Sequence, residues 1–119
     1  MNRRERGTRY EELAAEYLEH SHMHVIARNF RCRYGEIDLV ARDAGALVFV
    51  EVKYRTDASS GLPEEALSFS KRRTISRVAD FYRVRYKTRS DTPCRFDVIA
   101  FEGETLRHYK NAFSYIEAY

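Results

Sequence analysis

A chain of 119 residues, 44% apolar and 33% charged, is long enough to bury a core without disulfide or metal staples and too apolar for a disordered polymer. No apolar run approaches the roughly 20 residues that cross a bilayer. The stretch Met1 to Gly7 is basic and polar rather than signal-like, so a cytoplasmic protein is expected. The net charge of +3 hides an uneven spread: Arg and Lys crowd residues 3–9, 28–33 and 71–89, patches suited to a phosphate backbone or, each taken singly, to a solvated face.

No repeat, low-complexity tract or composition break divides the sequence, which predicts one domain over residues 1–119. Thr8 is a candidate N-cap for a helix to about His20, with Tyr10, Leu13, Ala14, Tyr17 and Leu18 at helical spacing. On that helix Glu11 falls at the margin of the apolar stripe, whereas Glu12, Glu16 and Glu19 point to solvent. A short extended stretch, His24 to Arg31, comes next. His20, His22 and His24 straddle the helix end without a fixed ligand spacing and read as surface histidines. After a turn at Tyr34-Gly35, Glu36 to Ala41 alternates like a half-buried strand, and Leu47 to Lys53 is richer in Val and Phe. Asp43-Ala44-Gly45-Ala46 reads as the tight turn of a hairpin.

Thr56 to Pro63, with Ser, Gly and Pro, predicts an exposed loop. A long helix follows, clearest from Ser70, with Lys71, Ile75, Val78, Ala79, Tyr82 and Tyr86 on one side and arginines on the other. Ser90-Asp91-Thr92-Pro93 breaks it before a strand from Arg95 to Phe101. Leu106 to Tyr109 predicts a short last strand and Ala112 to Tyr119 a short terminal helix. The order predicts an α/β fold in which a mixed sheet, an antiparallel hairpin plus a later strand, is flanked by helices. Tyr17, Tyr82 and Tyr86 are expected in the core, Asp97 as the structural partner of an arginine, and Cys32 and Cys94 as free thiols.

The chemistry begins at Glu51, a carboxylate inside the apolar run Val48-Phe49-Val50-Glu51-Val52-Lys53. Such a charge is tolerated only when paired, hydrogen-bonded or bound to metal. Alternation places Glu51 and Lys53 on one face and Val48, Val50 and Val52 on the other. With a two-residue turn at Ala44-Gly45, Asp38 falls opposite Glu51 and Glu36 opposite Lys53. Paired carboxylates invite a raised pKa or a divalent ion, and an all-oxygen site suits Mg²⁺ or Mn²⁺. A bulged three-residue turn would separate them, and an ion pair between Lys53 and a neighbouring carboxylate such as Glu36 would explain the same charges structurally. Glu11, leaning over the sheet, either holds a metal-bound water or makes a surface salt bridge.

Gly7 to Leu18, Ala27-Arg28-Asn29-Phe30-Arg31-Cys32-Arg33, Gly35-Glu36-Ile37-Asp38-Leu39, Phe49-Val50-Glu51-Val52-Lys53, Lys71 and Arg95-Phe96-Asp97-Val98 together resemble the bacterial YraN-like family. That family is similar to archaeal Holliday-junction resolvases of the PD-(D/E)xK, or restriction-endonuclease-like, superfamily. The resemblance implies a restriction-endonuclease-like core and a metal-dependent nuclease acting on DNA, with branched or structured DNA in view. Asp38 and Glu51 would bind Mg²⁺ or Mn²⁺, the carbonyl of Val52 would complete the shell, Lys53 would be the catalytic lysine, and Glu11 would match the helix-one glutamate. Lys71 matches a recurrent lysine on the later helix, and Arg31, Arg33, Lys71, Arg72 and Arg73 are candidates for flanking phosphates. Tyr10 stands where the family usually has glycine, Tyr54 where a Thr is common, and Ile37 where the superfamily name has proline. Related resolvases often work as dimers, which brings a homodimer into view. The competing readings are a nucleic-acid-binding module with the nuclease fold but no useful catalysis, and a protein-interaction domain with a buried ion network.

Overall fold

The computed structural model describes residues 3–55 and 67–117; the Thr56 to Pro63 loop lies outside them. In chain order the elements are α1 (Arg3–His20), β1 (His24–Cys32), β2 (Gly35–Asp43), β3 (Ala46–Arg55), α2 (Phe69–Arg85), β4 (Cys94–Glu102) and β5 (Thr105–Phe113). The strands form one sheet in the order β1-β2-β3-β4-β5. All neighbours are antiparallel except β3 and β4, whose parallel pairing follows from the α2 crossover between them.

Each face of the sheet carries a helix because the strands alternate. Leu47 and Phe49 pack with Ile75, Val78, Ala79 and Tyr82 of α2, whereas Val48 and Val50 pack with Ala14, Ala15 and Leu18 of α1. This two-sided α/β arrangement is the expected one and is compatible with a restriction-endonuclease-like core.

Three boundaries differ from expectation. First, α1 begins before Thr8, whose hydroxyl donates to the Arg4 carbonyl within the helix instead of capping it. Residues 3–8 have no apolar periodicity, yet Glu5 in the first turn suits the helix dipole. Second, the expected terminal helix is absent from the described residues: Ala112 and Phe113 belong to β5, and residues 114–117 are irregular. A bulge opposite Phe96–Val98, with Asn111 at φ 53°, interrupts the alternation that would have revealed a nine-residue strand. Phe113 then stacks on Phe96 at 4.9 Å, and the Ile116 N–H donates to Ser76 Oγ. Third, Tyr86 is not core. It follows the last turn of α2 and is 56% exposed, whereas Tyr82 is buried and Tyr17 half-buried.

Candidate metal and phosphate site

The hairpin register decides whether the acidic groups meet. Leu39↔Val50, Val40↔Phe49, Ala41↔Val48, Arg42↔Leu47 and Asp43↔Ala46 pair as a two-residue turn requires, with Ala44 at φ 56°. Regular pairing stops at Leu39. One residue further, the Asp38 carboxylate takes the place of a backbone rung: its Oδ2 accepts the Val52 N–H at 2.8 Å. Regular pairing of the two strands thus ends where the carboxylates begin.

Glu51 follows Leu47 and Phe49 on the α2 side of β3, and it is only 7% exposed. The Asp38 carboxylate is its acidic neighbour. Glu51 Oε1 faces Lys71 Nζ at 3.9 Å, while Oε2 is buried with no hydrogen-bond partner among the described residues. Burial first, then the neighbouring Asp38 charge, hold the Glu51 carboxyl well above the ordinary carboxylate range, against the pull of Lys71 and Lys53.

These groups open onto a cavity of about 360 Å³ lined by Arg6, Gly7, Tyr10 and Glu11 of α1, Asp38 of β2, residues 51–54 of β3 and Lys71. The early start of α1 carries Arg6 and Gly7 over the sheet. The Ser68 side chain accepts the Lys71 N–H at 3.1 Å, capping α2 so that its first turn brings Lys71 to the acids. Burial first and the Asp38 charge second raise the Glu11 pKa, while a hydrogen bond from Asn29, at φ 51°, opposes them. Glu36 forms its ion pair with Arg31 at 2.9 Å, and no described residue pairs with Lys53. The expected structural alternative, Glu36 with Lys53, is therefore not what the described residues form.

The donor set fits a hard divalent cation. Two carboxylates sit side by side, one of them with an orphaned oxygen, and Asp38 fixes the Val52 peptide at the cavity wall. Among the described residues no three acidic, His or Cys side chains close into a cage, so water and phosphate oxygens would supply the remaining positions, as Mg²⁺ prefers. Of the five expected phosphate-binding residues only Lys71 lines this cavity. Arg31 reaches Glu36, Arg33 lies over Tyr34 and Arg72 over Phe69, and Arg73 is exposed. His20, His22 and His24 are exposed, as expected.

Residues 10–101 match the uncharacterised protein family UPF0102. The chain belongs to this family. UPF0102 is the YraN-like family that the sequence blocks indicated. The UPF0102 protein of Lachnoclostridium phytofermentans is 49% identical over 113 residues, covering 95% of this chain and 96% of its own. That of Geobacter sulfurreducens is 47% identical over 112 residues, covering 90% and 87%. The one from Symbiobacterium thermophilum is 48% identical over 96 residues, covering 81% and 80%. No helix among the described residues of this UPF0102 chain is long and apolar enough to cross a membrane.

Asn29 and Arg6 are the contributors that sequence reasoning missed. Asn29 adopts φ 51°, a left-handed conformation that Asn tolerates better than most residues. Tyr10 and Tyr54 both line the cavity. They stack on each other with centroids 4.5 Å apart, and Arg6 lies over the Tyr54 ring.

Proposed function

We propose that this UPF0102 chain is a divalent-metal-dependent endonuclease that hydrolyses phosphodiester bonds in DNA. The observation that carries the reading is the buried, unpartnered Glu51 Oε2 beside Asp38, with Lys53 and Lys71 lining the same open cavity. A carboxylate pair of this kind is costly to bury unless a cation joins it.

Asp38, Glu51 and the carbonyl of Val52 would hold Mg²⁺ or Mn²⁺, which when bound supplies positive charge to a phosphate oxygen and acidifies a coordinated water. Lys53, a compact cation with movable donors, orients the attacking water and neutralises charge that develops on the phosphoryl oxygens. Water oxygen bonds to phosphorus as the bond to the leaving sugar oxygen breaks; the attacking water gives up one proton to solvent and the leaving oxygen takes one from it. Glu11, its pKa raised by burial and the Asp38 charge, accepts a hydrogen bond from that water and helps to place it. Lys71 holds a non-bridging oxygen, and Arg31, Arg33, Arg72 and Arg73, outside the cavity, are the candidates for flanking phosphates of longer DNA.

A panel of linear, flap, fork and four-way DNA incubated with Mg²⁺ or Mn²⁺ tests the proposal. Cleavage that requires the metal and disappears in Glu51→Gln and Lys53→Ala supports it. Cleavage untouched by those substitutions, or Mn²⁺ binding that ignores Glu51→Gln, removes the basis for it.

A further inference from the structure

Tyr10 is a partition between two cavities. On one side lies the acidic cavity; on the other is a larger one, about 600 Å³, which shares Arg6 and Tyr10 with it. The Tyr10 ring is fixed from two directions, by Tyr54 at 4.5 Å and Phe101 at 4.8 Å. The hydrolytic chemistry above makes no use of this second cavity.

Its lining is chemically sorted. Leu13, Phe101 and Leu106 supply apolar walls, Arg6 and Arg9 supply cations, and Glu104 supplies the one carboxylate. A nucleotide matches that distribution: a flat base against the apolar walls and Tyr10, a phosphate on the arginines, and an exocyclic amine toward Glu104, which would repel a phosphate. The volume lies within the range of small-molecule sites and is ample for one nucleoside. Arg6 sits 5.4 Å from the Tyr54 centroid, an exposed cation–π contact weak enough to exchange for a phosphate.

We infer that the larger cavity takes the unpaired base next to the phosphodiester held at Asp38 and Glu51, so that the substrate is DNA with a single-stranded nucleotide at the cleavage point. The inference rests on the nucleolytic reading for the position of that phosphate. Within continuous duplex the same base is stacked and paired, and extracting it opposes binding. Forks, flaps and overhangs present it without that cost.

The test measures binding and cleavage separately. Full-length protein in EDTA is titrated against a labelled fork, the same fork with an abasic nucleotide walked through the first unpaired positions, and the continuous duplex. The fork is expected to bind about tenfold more tightly than the duplex, with one abasic position removing most of that gain. Tyr10→Ala and Leu13→Glu should remove it too, with no further loss on the abasic fork, while Tyr10→Phe retains it. Leu13 is 36% exposed, so its substitution keeps the test valid if Tyr10→Ala does not fold. Equal binding at every abasic position, or a full abasic penalty persisting in Leu13→Glu, overturns the base site. Metal-dependent cleavage without base dependence would overturn this site and leave the nuclease standing; base-dependent binding without Mn²⁺-dependent cleavage would do the reverse.

Discussion

Asp97 and Glu51 are buried carboxylates one rung apart on the parallel strands β4 and β3, where Val50 pairs with Asp97 and Glu51 with Val98. Their surroundings differ in kind. Asp97 accepts from Arg95 Nε at 3.0 Å and Nη2 at 3.2 Å, from His108 Nε2 at 2.8 Å and from the Asn111 N–H at 3.0 Å. With Nε2 donating to Asp97, His108 Nδ1 accepts from the Tyr17 hydroxyl at 3.0 Å, tying α1 to the same network. Burial alone would raise the Asp97 pKa, but the bonds from His108, Arg95 and Asn111 outweigh it and leave the group below its ordinary value. Glu51 has an orphaned oxygen, an acidic neighbour and a pKa shifted the other way. A saturated buried carboxylate holds strands together, whereas an unsaturated one at a cavity wall is disposed toward a ligand.

The sharpest way to break this contrast is to substitute both sides and read activity and stability together. Lys53→Ala should lower the rate of DNA cleavage by about 10²- to 10³-fold while leaving the denaturation midpoint in place. Asp97→Asn should keep activity in its folded fraction but cost about 3 kcal/mol in denaturant titrations, because Arg95 and His108 lose a buried anion. Parallel losses of rate and stability in both variants would erase the distinction.

Metal provides the next test. Mn²⁺ at about 100 times its dissociation constant should stabilise the native chain by roughly 2.7 kcal/mol, and Glu51→Gln should abolish the effect whereas Asp97→Asn should not. The pH dependence of the metal-free protein separates the two groups by sign. Asp97, with its depressed folded pKa, contributes stability above its ordinary value near 3.8 that is lost as pH falls through the folded value. Glu51 binds its proton more tightly when folded, so its contribution declines as pH rises from the ordinary 4.5 through the raised value. Thermal melts across pH should therefore show Glu51→Gln gaining on the native chain toward alkaline pH and Asp97→Asn losing most above pH 3.8. The smallest effect belongs to Tyr17→Phe, about 1 kcal/mol in denaturant titrations, because it removes a single half-buried hydrogen bond to His108.

What could be read in advance followed the strength of local signals. The β2–β3 register was legible because only two residues, Ala44 and Gly45, separate alternating strands, and that register brought Asp38 toward Glu51. The role of Asp97 as an arginine's partner was also legible from Arg95 two positions earlier. The replacement of a ladder rung by the Asp38 side chain was not, since nothing in the pattern of β2 announces where pairing stops. The start of α1 at Arg3 was hidden by uniformly charged residues, and the length of β5 by its bulge. Arg6 reaches the site through the early start of α1 and Asn29 adopts a left-handed backbone, so both escaped periodicity.

Gly35 adds a constraint on distance. It adopts φ 148°, and a Cβ there would lie 2.9 Å from the Thr74 side chain of α2. Thr74 stands one helical turn from Lys71, so even a methyl group at this position would work as a wedge beneath the helix that carries the ammonium. Gly35→Ala would therefore press on the turn of α2 next to Lys71 while leaving Asp38 and Glu51 themselves unchanged.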